Sequence, residues 1–247
     1  MTLRVDDIGF GGLKLTQNTE EFCYGVDAVI LADMASKCGR FNGSYNAVDL
    51  GTGTGIIPLI LTSRIEGMKI TGYDVIGSNI ELARKNAENN GLEERLEFEC
   101  MDVIDIPDKL KQGIAGLVTC NPPYFRRGGG IVNDNSAKFV ARQETTAEVD
   151  DFVKAAAHIL RERGHFCMIH RPDRLVDIMS SCRAHRLEPK ELRMVAPKEN
   201  EVPNMVLVHC IKGAGKELKI IPSLNVYKAD KSGEYTDELL GIYGREK

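Results

Sequence analysis

Two strings of residues carry the chemistry open to this chain. The first is Asp49-Leu50-Gly51-Thr52-Gly53-Thr54-Gly55. Glycines in such a run let the backbone take positive φ and let a ligand lie directly against the main chain. A helix beginning just beyond them favours negative charge and hydrogen-bond acceptors. A Walker phosphate loop would need Gly-Lys-Ser/Thr, and here Gly55 is followed by Ile56-Ile57. A dinucleotide fingerprint would need G-x-G-x-x-G, whereas these glycines stand at 51, 53 and 55, and an acid at 49 would repel a pyrophosphate. An adenosyl ligand ending in an amino acid fits better. Asp49 is expected to receive its ammonium, and N–H groups of the Gly51, Thr52, Gly53 and Gly55 loop its carboxylate. Asp74, followed by Val75, offers two acceptor oxygens to the ribose hydroxyls. Asp102, with Val103 beside it, is placed for the adenine amino group. A glycine loop and then two acids, each at a successive strand end, suit S-adenosyl-L-methionine.

The second string is Asn121-Pro122-Pro123-Tyr124. Two prolines fix φ at consecutive residues and stiffen the loop. The Asn121 side-chain carbonyl and the Pro122 main-chain carbonyl remain as acceptors, which suits the two N–H donors of a planar NH₂ group. Holding both hydrogens turns the nitrogen lone pair towards an electrophile, a matter of positioning and electrostatics. Tyr124 offers a ring to stack on the planar group.

Such loops need strands to end in them. Short apolar runs at Ala47–Leu50, Met68–Tyr73, Arg95–Cys100, Gly116–Cys120 and His165–His170 read as strands. Helical-period segments at Ile56–Ile65, Ile76–Asn90, Val149–Arg161 and Arg174–Arg186 alternate with them. Within Ile76–Asn90, the residues Ile76, Ile80, Ala83 and Ala87 share one face. Two further strands, Leu192–Ala196 and Met205–Ile211, are separated by a short loop and predict an antiparallel hairpin. The pattern is that of a doubly wound α/β domain whose seven strands form a mainly parallel sheet, with the hairpin at its C-terminal end. Val26–Lys37 reads as a helix in a 1–44 extension packed on a 45–247 core.

Composition narrows the function classes. The 247 residues are 43% hydrophobic, too apolar for disorder, and no apolar run approaches a membrane span. No signal-peptide pattern opens the chain. Seven cysteines without a C-x-x-C pair predict reduced thiols in a cytoplasmic protein, with neither a disulfide framework nor a metal site. The five histidines (158, 165, 170, 185 and 209) show no metal-ligand spacing. Residues 1–120 carry a net charge of −7 and residues 121–247 one of +3, a mild bias compatible with an anionic substrate.

Together, Asp49–Gly55 and Asn121–Tyr124 resemble class I S-adenosylmethionine-dependent methyltransferases that act on amino groups. The whole chain is similar to the tRNA1(Val) adenine-37 N6-methyltransferase family. That likeness includes Gly25-Val26-Asp27-Ala28-Val29-Ile30-Leu31, Ala141-Arg142-Gln143-Glu144, His170-Arg171-Pro172 and Pro203-Asn204-Met205-Val206-Leu207. The resemblance implies a Rossmann-like methyltransferase domain, a flipped anticodon-loop adenine of tRNA as substrate, and Gly25 and Asp27 beside the cofactor's methionine end. It departs at Gln143, where relatives often carry His. Phe125, Arg126, Arg127 and Arg142 follow the catalytic string and are candidates to meet substrate and its phosphates. Other readings stay open: a glutamine-N5 methyltransferase of a release factor, a DNA adenine methyltransferase, or a binding module without chemistry. The 48 residues before Asp49 are few for the separate substrate domain of the release-factor enzymes.

Overall fold

The computed structural model describes residues 2–20, 23–41, 45–123, 147–229 and 233–244. Among the described residues there are ten strands: β1 Leu3–Asp7, β2 Lys14–Asn18, β3 Asn46–Leu50, β4 Lys69–Asp74, β5 Leu96–Cys100, β6 Ala115–Cys120, β7 Leu160–His170, β8 Leu187–Ala196, β9 Met205–Lys212 and β10 Lys219–Asn225. The α-helices are α1 Val26–Lys37, α2 Ile56–Arg64, α3 Gly77–Asn89, α4 Ile106–Lys109, α5 Val149–Ile159, α6 Leu175–Ala184 and α7 Asp237–Ile242.

The main sheet runs β10-β8-β9-β7-β6-β3-β4-β5. From β5 to β7 every pairing is parallel, while β9 is antiparallel to both β7 and β8. All seven expected strands and the expected hairpin are therefore in one sheet. An eighth, β10, lies parallel on β8 at the edge. Its sequence KIIPSLN contains Pro222, which an edge strand tolerates because one side of its ladder is unpaired. The helix expected to reach Arg161 stops at Ile159, and the chain passes directly into β7 at Leu160.

Two apolar layers sandwich the sheet, one containing α1, α2 and α3 and the other α5 and α6. Six residues of α1 from Ala28 to Ala35 are fully or almost fully buried, so this helix is enclosed on several sides. The acid that interrupts its apolar face, Asp33, is paired with Lys37 and with Arg64 of α2. A buried carboxylate is tolerated here because two cations neutralise it.

The N-terminal hairpin β1–β2 is antiparallel and forms its own small sheet. Two amides of α3 tie it to the core. Asn86 Oδ1 accepts the Thr16 N–H at 2.7 Å and its Nδ2 donates to Thr16 O. Asn90, one turn on, makes the same exchange with Lys14. The side chains thus imitate a neighbouring strand and satisfy the outer ladder of β2. Asn86 Nδ2 also donates to Thr54 O, which links the hairpin to the glycine loop.

Candidate active site

The sheet order reverses at β3: β4 and β5 lie to one side and β6 and β7 to the other. In open α/β sheets this switch point is where the strands' carboxyl ends leave a crevice for ligands. Asp49, Asp74 and Asn121 stand at or just beyond the ends of β3, β4 and β6.

The glycine loop joins β3 to α2. Gly51, Gly53 and Gly55 have φ of 70°, 56° and 84°, the left-handed region that side chains resist. The loop is pinned to the end of β4. Gly51 and Thr52 N–H both donate to Tyr73 O, and Gly53 N–H donates to Asp74 Oδ2 at 2.8 Å. Gly55 N–H closes a turn onto Thr52 O. The N–H groups of these four residues are thus engaged within the protein, so their visible role is to fix the loop's shape. Gly72 of β4 is equally constrained. A Cβ there would come within 2.7 Å of both the Phe98 ring and Thr52 Oγ1.

Asp49 is fully buried, and its Oδ1 accepts the Thr119 hydroxyl at 2.6 Å. The two residues are direct register partners on β3 and β6. Asp49 Oδ2 and Thr52 Oγ1 are buried without a hydrogen-bond partner. Burial pushes the Asp49 carboxyl up to about 7, against the pull of the Thr119 and Thr52 hydroxyls that face it. An orphaned carboxylate oxygen of this kind is destabilising unless a donor reaches it. A ligand ammonium is such a donor.

Asp74 is buried at the neighbouring strand end, and burial raises its pKa too. Its Oδ1 accepts the Ile76 N–H at 2.9 Å while Oδ2 accepts that of Gly53. Each oxygen keeps further lone-pair capacity, which suits two vicinal hydroxyls. Val75 beside it is half-buried. Asp102 is also half-buried, and its Oδ1 caps the 3₁₀ turn Val103–Asp105 by accepting the Ile104 N–H. Val103 packs inward.

Asn121 and Asp27 meet across 94 positions of sequence: Asn121 Nδ2 donates to Asp27 Oδ2 at 3.0 Å. Asp27 is buried in the first turn of α1. Its other carboxylate oxygen folds back over Gly25, where a Cβ would stand only 2.7 Å away. The Gly25-x-Asp27 pattern is therefore a local requirement for this contact. Pro122 is buried and Pro123 half-buried. Tyr124, Phe125, Arg126, Arg127, Arg142 and Gln143 lie outside the described residues. Thr119 was not singled out in the sequence, since a threonine in a strand has many reasons to be there; strand pairing alone puts it against Asp49.

A family profile described as a methyltransferase domain matches residues 42–221. The chain belongs to this methyltransferase family. Its relatives include a tRNA1(Val) (adenine(37)-N6)-methyltransferase of Porphyromonas gingivalis, 25% identical over 74% of this chain and 72% of that protein. A protein of the same name from Pedobacter heparinus is 26% identical over 85% of each chain. Among solved structures, a predicted O-methyltransferase from Agrobacterium tumefaciens superposes with a TM-score of 0.71 at 22% identity, covering 89% of this chain and 97% of that one. The methyltransferase uses S-adenosyl-L-methionine as cofactor, and the residues present fit it. The Asp49 oxygen without a donor, the oriented pair of oxygens on Asp74 and the close backbone of Gly51–Gly55 match an ammonium, a ribose and a flat approach to the main chain. No helix among the described residues is long and apolar enough to cross a membrane.

Proposed function

We propose that this methyltransferase acts on an exocyclic amino nitrogen, adenine N6 in tRNA. The observation that carries the reading is Asn121, at the end of β6, with its amide held by the buried Asp27. A carboxylate can only accept, so it takes the NH₂ side of the amide and fixes which way the carbonyl faces. The carbonyl then serves as the acceptor that a planar amino group needs, with Pro122 O as the second.

When bound, the cofactor supplies a sulfonium methyl group as electrophile. Asp49 holds the ammonium end, Asp74 the ribose and Asp102 the adenine amino group, with Gly25, Asp27, Val75 and Val103 lining the same cleft. Asn121 and Pro122 draw both N–H bonds of the substrate amine away from the cleft, so the lone pair faces the methyl carbon. Pro123 stiffens the loop and Tyr124 stacks on the base. After attack the nitrogen is positive and its proton passes to water by way of these carbonyls. No strong base is needed, because the gain comes from holding reactants in line. Phe125, Arg126, Arg127 and Arg142 contact the nucleic acid in this reading, and the base leaves its stack to reach the pocket. Two features favour tRNA over a protein glutamine: the names of the relatives and the net charge of +3 over residues 121–247.

The test is methyl transfer from labelled S-adenosyl-L-methionine to tRNA from cells that lack this gene, followed by nucleoside analysis. Labelled N6-methyladenosine is expected. Label in a release-factor glutamine and none in tRNA would overturn the reading.

A further inference from the structure

Away from the strand ends, the structure gathers three side chains that the sequence scattered. Cys38 caps the C-terminus of α1, His165 is on β7 and His209 on β9. One ligand-type atom from each lies within 4.8 Å of those of the other two. We propose that Cys38, His165 and His209 form a zinc site that fastens the C-terminal end of α1 to the antiparallel half of the sheet.

The orientation of each donor supports this. His165 Nε2 is packed against Gly39, where a Cβ would come within 2.8 Å of it, so Nδ1 is the nitrogen that faces the cluster. His165 Nδ1 and His209 Nε2 are 3.0 Å apart. The other nitrogen of His209, Nδ1, is buried, has no hydrogen-bond partner and lies 3.5 Å from the Glu191 carboxylate on β8. A carboxylate selects the tautomer with its proton on Nδ1, which leaves the Nε2 lone pair aimed into the cluster. A metal-bound histidine donates its other ring N–H to a carboxylate, a backbone carbonyl or water, which fixes tautomer and ring, and Glu191 stands beside that nitrogen here.

Sulfur with two imidazoles is a set for zinc or a similar borderline-soft cation, and it does not suit magnesium or calcium. Three protein ligands leave the fourth tetrahedral position to solvent. Binding forms a metal–sulfur bond at Cys38 and releases the thiol proton to solvent. Cys38 and His165 are only half-buried, so an ion has a way in. The site is remote from transfer: Asp27 and Cys38 are separated by eleven helical steps, about 16 Å. It anchors one end of the helix whose other end holds Asn121.

Cobalt(II) is the probe. The full chain, stripped by a chelator under reductant, should bind one equivalent and show a thiolate-to-cobalt charge-transfer band with d–d intensity typical of four-coordination. Zinc should displace it. The charge-transfer band should vanish in Cys38→Ser and persist in Cys23→Ser and Cys100→Ser, with far-ultraviolet dichroism showing that each variant is folded. Glu191→Gln should weaken zinc binding about 10–100-fold, the usual loss for an outer carboxylate. Absence of the band in the wild-type chain would overturn the proposal, and so would its persistence in Cys38→Ser. Cofactor binding measured on the same samples keeps this result separate from the catalytic assignment.

Discussion

At the carboxyl ends of β3, β4 and β6, buried polar groups are incompletely satisfied: Asp49 Oδ2 and Thr52 Oγ1 have no partner. In the antiparallel half, Lys212 at the end of β9 is just as buried, yet its ammonium donates to both Ala157 O and Leu160 O at 2.7 Å. Both regions carry charged groups inside the protein, but Lys212 is completed by the chain's own backbone whereas Asp49 is not. Unpaired buried groups are costly, so a fold keeps them where something else arrives to pair them. A satisfied buried cation such as Lys212 serves packing, whereas an unsatisfied carboxylate such as Asp49 serves a ligand.

That contrast can be broken by substitution. The largest effect is expected from Asn121→Ala, which should lower kcat by about 10²–10³, the usual cost of losing one polar group that stabilises a transition state. Cofactor affinity should change less than about threefold, a difference well under one kcal/mol. Single-turnover transfer alongside calorimetric cofactor titration separates the two. Asp74→Ala should weaken cofactor binding by about 10–100-fold, because charge-assisted hydrogen bonds to the ligand and the pin on Gly53 disappear together. The same calorimetry reads it.

Asp49 predicts a pH dependence with a definite sign. Its folded pKa of about 7 lies above the ordinary 3.8, so between those values the folded chain keeps a proton that the unfolded chain has released. The cofactor-free enzyme should therefore lose stability as pH rises through this window and level off above it. Cofactor binding runs the other way, since an ammonium needs the ionised carboxylate. Affinity should rise about tenfold per pH unit up to about pH 7 and then flatten. Asp49→Asn should abolish the slope in calorimetric titrations.

The smallest effect belongs to the satisfied cation. Lys212→Met keeps the apolar stem and removes two hydrogen bonds, so denaturant unfolding should show a loss of about 1–2 kcal/mol. Cofactor affinity should be unchanged. A variant that lost cofactor while keeping its stability would erase the distinction between the two regions.

Much of the fold was legible because local periodicity encodes local structure. Val26–Lys37 matches the expected helix to the residue, and the seven strands β3 to β9 overlap their expected places, with β7 and β8 each beginning five residues earlier. What escaped lacked that signal. The strand β1, LRVDD, has no fully buried residue, with Leu3 and Val5 both exposed, so no inward face shows in its sequence. The edge strand β10 is interrupted by proline, and α7 spans only six residues.

The sequence by itself determined the elements and the residues at their ends. The glycines at 51, 53 and 55 must turn the chain, and Asp49, Asp74 and Asn121 must stand at strand ends. Each of these depends on neighbours a few positions away. Only the tertiary structure decided which of them meet. Asp27 reaches Asn121, Thr119 faces Asp49, Asn86 joins the N-terminal hairpin to the glycine loop, and Cys38 meets His165 and His209. Those meetings depend on strand order and register. Both are set by how the whole chain buries its two apolar layers, and no short stretch of sequence records that.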